Sequence, residues 1–163
     1  MTNRKIVASI FFSFLFSLGV NAQPKQGQLA ADIALPSVSG DTIKLSSLKG
    51  KVVLLDFWAS WCLPCRATNK NLVKLYQKYK DKGFEIFGVS VDDEKAKWTS
   101  AIKKDKISWI QVNDNTGWQS KILERWDIGA IPTSFLIDKE GKLLAMDLQG
   151  KELEKALKYL IDK

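Results

Sequence analysis

The run Val52-Val53-Leu54-Leu55-Asp56-Phe57-Trp58 leads directly into Ala59-Ser60-Trp61-Cys62-Leu63-Pro64-Cys65, and no other stretch limits the fold so tightly. An apolar run of this length, stopped by small residues, reads as a strand buried in a sheet and ended by a turn. Beyond Leu63, the residues Leu72, Leu75, Tyr76 and Tyr79 recur at i, i+3, i+4 and i+7, the spacing of one helix face. The only two cysteines of the chain therefore stand three apart at the start of a helix that follows a core strand. Residues i and i+3 are helix neighbours, so two sulfurs there can bond or part with little backbone movement. The unpaired N–H groups and partial positive charge of a helix N-terminus favour a thiolate, the form that attacks disulfides. The pattern points to thiol redox chemistry.

Other uses of a cysteine pair fit less well. A structural zinc site takes four Cys or His ligands, and this chain has two Cys and no His. Covalent haem attachment needs Cys-x-x-Cys-His, and Arg66 stands where the His belongs. A bridge closing so short a loop restricts the unfolded chain little, so stability alone is a weak motive for it. No metal and no cofactor is expected.

Residues 1–22 have the form of an export signal. Arg4 and Lys5 precede an apolar stretch from Ile6 to Val20, and Val20-Asn21-Ala22 fits a small-residue cleavage site with Gln23 as the new terminus. The alternative is an N-terminal membrane anchor, for which an apolar stretch of about fifteen residues is short against the ~20 of a spanning helix. Removing Arg4 and Lys5, with no acid nearby, lowers the formal net charge from +7 to +5. That excess lies in helix-like stretches such as Lys95 to Lys106 and Lys151 to Lys158, as solvated faces do. No basic run alternates with aromatics, so nucleic acid is not an expected partner. Exported chains usually spend cysteines on structural bridges. Here none is left beyond the Cys62–Cys65 pair, and the core must supply the stability.

Along the chain, residues 23–30 read as a flexible polar lead-in and residues 31–163 as one domain. Ile33 to Lys44 reads as a hairpin turning at Ser39-Gly40-Asp41, and Ser46 to Gly50 as a helical turn. Gly83 closes the cysteine-bearing helix, and Phe84 to Ser90 forms a second buried strand. Asp92-Asp93 stands where a helix cap belongs, ahead of Trp98, Ala101 and Ile102. Trp109 to Val112 is a short strand, Asn113 to Gly117 a turn, and Ile122, Leu123 and Trp126 mark a short helix. Thr133 to Asp138 and Leu143 to Asp147 make a hairpin around Lys139-Glu140-Gly141. Leu153, Ala156, Leu157, Leu160 and Ile161 line a terminal helix. Strands alternating with helices, then a hairpin and a helix, imply an α/β fold with a mixed sheet between helices.

The segments Leu55-Asp56-Phe57-Trp58-Ala59-Ser60-Trp61-Cys62-Leu63-Pro64-Cys65-Arg66 and Ile131-Pro132-Thr133-Ser134-Phe135-Leu136-Ile137-Asp138 resemble the thioredoxin superfamily. The exported TlpA/ResA-type branch, close to thioredoxin-like proteins grouped with AhpC/TSA, is the most similar. The resemblance covers about residues 28 to 163. It implies a thioredoxin-like fold with an N-terminal β-hairpin and a central inserted helix. It implies Cys62 as attacking thiol, Cys65 as resolving thiol and Pro132 as a cis-proline facing the disulfide. Trp61 would cover the active-site face, with Leu63, Pro64 and Ile131 beside it as substrate contacts. Asp56 matches the buried acid beneath the second cysteine, where desolvation raises a carboxyl pKa and equips it to move a proton. The chain departs from the branch at Thr68 and Lys70, where many members carry an acid and a proline. Asp56 would then act alone, and no helix kink is expected. Leu63-Pro64 also replaces the Gly-Pro of thioredoxin.

The function expected is an extracytoplasmic thiol–disulfide oxidoreductase that reduces protein disulfides, recharged by a membrane thiol reductant and acting as a monomer. A thiol peroxidase of AhpC/TSA type is one alternative. Its Pro-x-x-x-Thr-x-x-Cys pattern has no counterpart before Cys62, where Leu55 and Ala59 stand at the Pro and Thr positions. A non-catalytic binding module presenting Trp98, Trp109, Trp118 and Trp126 is another, but their spacing places them in the core.

Overall fold

The computed structural model describes residues 25–162, and the expected signal segment lies outside them. The hairpin strands β1 (Ala34–Pro36) and β2 (Thr42–Lys44) pair antiparallel as a separate small sheet. After a 3-10 turn at Leu45–Leu48 comes β3 (Val52–Trp58), all of whose residues are buried. A strand covered on both faces can be apolar throughout, which is why its sequence shows no alternation. The helix α1 (Leu63–Tyr79) carries the chain back to β4 (Phe84–Ser90), also buried along its length. Then follow α2 (Lys95–Lys104), β5 (Ile110–Val112), the short α3 (Lys121–Arg125), β6 (Thr133–Ile137), β7 (Leu143–Met146) and α4 (Gly150–Ile161).

The main sheet has the order β5-β4-β3-β6-β7. β3, β4 and β5 run parallel, while β6 and β7 are antiparallel to their neighbours. β3 is thus the central strand, hydrogen-bonded on both sides. Its side chains alternate between faces, as a strand requires. Leu54 and Asp56 look toward α1 and α4, sharing a groove with Leu72 and Leu153. Phe57 looks the other way and packs against Trp126 at 6.1 Å and Phe135 at 6.2 Å between ring centroids. The expected architecture, a mixed sheet between helices with a leading hairpin and a helix inserted before β5, is the one observed.

Several boundaries differ from the sequence reading, two of them at the ends of helices. α1 ends at Tyr79, and a 3-10 turn at Lys80–Lys82 intervenes before Gly83, whose φ of 87° takes the left-handed conformation that reverses the chain. Asp92 and Asp93 cap nothing: α2 begins after Glu94, which makes no side-chain cap bond either. The end of the lead-in, residues 27–30, makes backbone hydrogen bonds to the β6–β7 hairpin. Gly27 and Ala30 donate to the carbonyls of Leu143 and Gly141 at 2.7 and 2.9 Å, and Leu143 donates back to Gln28 at 2.9 Å. These are backbone bonds, which composition does not reveal. Among the described residues, no helix is long and apolar enough to cross a membrane.

Candidate active site

β3 delivers the chain through Ala59-Ser60-Trp61 to Cys62, which is the N-cap of α1. Cys62 has extended backbone angles, and its Sγ accepts a hydrogen bond from the Cys65 N–H at 3.2 Å. That bond takes up one of the donors a helix start leaves unpaired. Pro64 falls in the first turn, where its missing N–H costs nothing. Cys62 and Cys65 form a disulfide with their Cα atoms 5.3 Å apart. The two residues are unequally covered: Cys62 is 6% exposed and Cys65 1%. Around them Trp61 is 52% and Leu63 80% exposed, an apolar rim beside the sulfur nearer to solvent.

Asp56 lies inside β3, paired in register with Gly88 on β4 and Ser134 on β6. It is buried, and none of the ion pairs among the described residues includes it. Burial is the main cause that pushes its pKa from 3.8 up to about 7, and the negative charge of Asp147 adds to the rise. Asp147 is held in place: its Oδ1 accepts the Ser134 N–H at 2.8 Å, and its own N–H donates to the Ser134 carbonyl at 2.8 Å. Asp56, Asp147 and Pro132 line one groove of about 450 Å³ between α1 and α4, together with Thr68, one turn beyond Cys65. The Ile131–Pro132 peptide bond is cis. A carboxyl poised near neutrality, with an open groove beside it, can take up or release a proton at physiological pH.

The sequence reading missed the residues that hold this site together. Asp92 is a buried carboxylate that accepts the Ser60 N–H at 2.9 Å, the Ser60 hydroxyl at 2.5 Å and the Ser90 hydroxyl at 2.8 Å. It ties the loop before Cys62 to the end of β4. Arg66 pairs with Asp105 at the end of α2 and donates to the Ser60 carbonyl at 2.9 Å. Beside Asp56, Gly88 leaves a notch filled by Gln111, whose Nε2 lies 2.2 Å from where a Cβ would sit. The Gln111 Oε1 accepts the Trp58 Nε1–H at 2.8 Å, and its Nε2 is buried without a partner. Of the four tryptophans assigned to the core, Trp98, Trp109 and Trp126 are buried there. Trp118 is not: it is 49% exposed, with its ring 6.5 Å from that of Trp61.

The AhpC/TSA family model matches residues 26–146. The thiol-disulfide oxidoreductase ResA of Bacillus cereus is 33% identical over 135 residues, covering 82% of this chain and 76% of its own. The ResA of Oceanobacillus iheyensis is 30% identical over 162 residues, covering 96% of this chain and 83% of its own. Among solved structures, a thiol-disulfide oxidoreductase from Bacteroides fragilis superposes with a TM-score of 0.76 at 39% identity, covering 82% of this chain and 99% of that one. A thiol:disulfide interchange protein from a Bacteroides species gives 0.77 at 36% identity, with 86% and 92% covered.

Proposed function

The chain belongs to the AhpC/TSA family and is a thiol–disulfide oxidoreductase of thioredoxin-like fold; on that premise we propose that it reduces protein disulfides outside the cytoplasm. The observation that supports a dithiol–disulfide cycle is Asp56, a buried carboxyl with its pKa pushed up to about 7 on the strand that delivers the cysteine pair. In the reduced enzyme the Cys62 thiolate attacks a substrate disulfide, forming a mixed disulfide and releasing one substrate thiolate. Cys65 loses its proton to Asp56 and attacks the Cys62 sulfur. The Cys62–Cys65 disulfide forms, the second substrate sulfur leaves as a thiolate that the Asp56 proton or solvent neutralises, and two electrons have passed to the substrate. Pro132 lines the groove and Ile131 precedes it through the cis bond, while Trp61, Leu63 and Pro64 meet the substrate on the solvent side. No cofactor enters the cycle. A membrane thiol reductant regenerates the dithiol, in keeping with the export signal read in residues 1–22, and the protein acts as a monomer.

The family also contains peroxidases, which would use a cysteine against peroxide in place of a protein disulfide. Two assays on the reduced protein separate the readings. Catalysed reduction of insulin with dithiothreitol as electron source, with little peroxide consumption, is the expected result. Rapid peroxide consumption with no gain over dithiothreitol alone on insulin would reverse the assignment.

A further inference from the structure

Trp118 is an exposed aromatic residue on a loop that is anything but loose. The Asp114 carboxylate accepts from the Thr116 N–H at 3.1 Å, the Thr116 hydroxyl at 2.7 Å and the Ser120 hydroxyl at 2.6 Å. The Asn113 side chain donates to the Asp92 carbonyl at 3.0 Å and accepts the Asn115 N–H at 2.7 Å. Gly117 has a φ of 58°, and a Cβ there would stand 3.6 Å from the Asp93 side chain. The loop is pinned from below while its largest apolar side chain stays in water next to Trp61. Holding an indole rigid and exposed forgoes its burial, and such apolar surface marks a contact site. Rigid aromatics are also the side chains that lose least freedom when a partner arrives.

The chemistry of the site says what the partner is. A mixed disulfide at Cys62 brings the substrate cysteine's Cα to about 5.5 Å from that of Cys62. In an extended substrate, the residues two positions away point to the same side as that cysteine, displaced by roughly 7 Å. Trp61 precedes Cys62 in the chain, and the centroid of the Trp118 ring lies 6.5 Å from that of Trp61. We propose that Trp61 and Trp118 form a two-ring platform that receives an apolar side chain two residues from the substrate cysteine under attack. The preferred substrates are then disulfides in extended segments with an aromatic or aliphatic residue at that position. This assignment rests on the reductase reading and adds a residue, Trp118, that sets its specificity.

The test uses two disulfide-linked peptides that differ only at the positions two before and two after one cysteine, Phe in one and Ser in the other. Reduction by the wild-type enzyme should give a kcat/KM about three to ten times higher for the Phe peptide, the size of one aromatic contact. In Trp118→Ser that ratio should fall below about two, chiefly through KM, and Trp118→Phe should restore most of it. Reading the ratio cancels any general change in activity. An unchanged ratio in Trp118→Ser, or no preference in the wild type, overturns the platform while leaving the reductase reading intact. If the wild type reduces neither peptide nor a small disulfide such as oxidised glutathione, the reductase reading falls and the platform with it. A concentration-dependent dimer that Trp118→Ser abolishes, with the peptide ratio unchanged, would assign the rings to self-association instead.

Discussion

Replacing Asp56 by Asn tests the electrostatics of the site through stability alone. Below pH 3.8 the carboxyl is protonated in both the folded and unfolded chain, and burial adds no charge penalty. Between 3.8 and about 7 the unfolded chain releases the proton while the folded one keeps it, so stability falls as pH rises. Above about 7 the loss is complete. At 1.36 kcal/mol per pH unit, the rise from 3.8 to about 7 amounts to about 4 kcal/mol. Asn keeps the shape and cannot ionise. Asp56→Asn should match the wild type within about 1 kcal/mol at pH 4 and exceed it by about 4 kcal/mol at pH 8. Urea unfolding of the oxidised proteins, followed by the fluorescence of the six tryptophans, measures this at each pH. Only the difference between the two curves matters, since groups away from Asp56 titrate alike in both. A difference that stays flat from pH 4 to 8 would refute the reasoning, because it would mean that Asp56 is ionised at its ordinary pKa despite its burial.

Cys62 should be the more reactive thiol: alkylating the reduced protein at graded pH and mapping the adduct should show Cys62 modified first below neutrality, and preferential modification of Cys65 would reverse the two roles. Asp92→Ala removes the acceptor of three hydrogen bonds around Ser60 and Ser90, and should destabilise the protein by about 2–3 kcal/mol in urea, whereas a loss under about 0.5 kcal/mol would mean the network is dispensable. Protein from its native host should begin at Gln23, as N-terminal sequencing would show, and an intact Met1 species confined to membranes would favour an anchor.

The β3–Cys-x-x-Cys–α1 unit was legible because everything that fixes it is local: an unbroken apolar run, a proline tolerated in a first helical turn, and a helix face at regular spacing. What escaped was non-local. Asp92 looked like a cap because its position before a helix is visible in the sequence, whereas its partner Ser60 lies 32 residues back and meets it only once β3 and β4 are paired. Asp56 was seen as buried, but its coupling to Asp147 depends on the β6–β7 pairing that brings Ser134 and Asp147 together. Trp118 was grouped with the core tryptophans because aromatic identity does not say which side of a loop a side chain takes. The turn read at Asn113 to Gly117 was a local sign, and the structure shows Gly117, just before Trp118, in the left-handed conformation.

The central claim is a dithiol cycle in which Cys62 attacks and Cys65 resolves. Its most direct measurement is the trapping of the mixed disulfide. Reduced Cys65→Ala protein, mixed with insulin and quenched in acid, should yield a covalent adduct whose mass and peptide map join Cys62 to an insulin cysteine. Cys62→Ser should give little or none. An adduct formed equally well through Cys65 in Cys62→Ser, or no adduct from Cys65→Ala at all, would contradict the account.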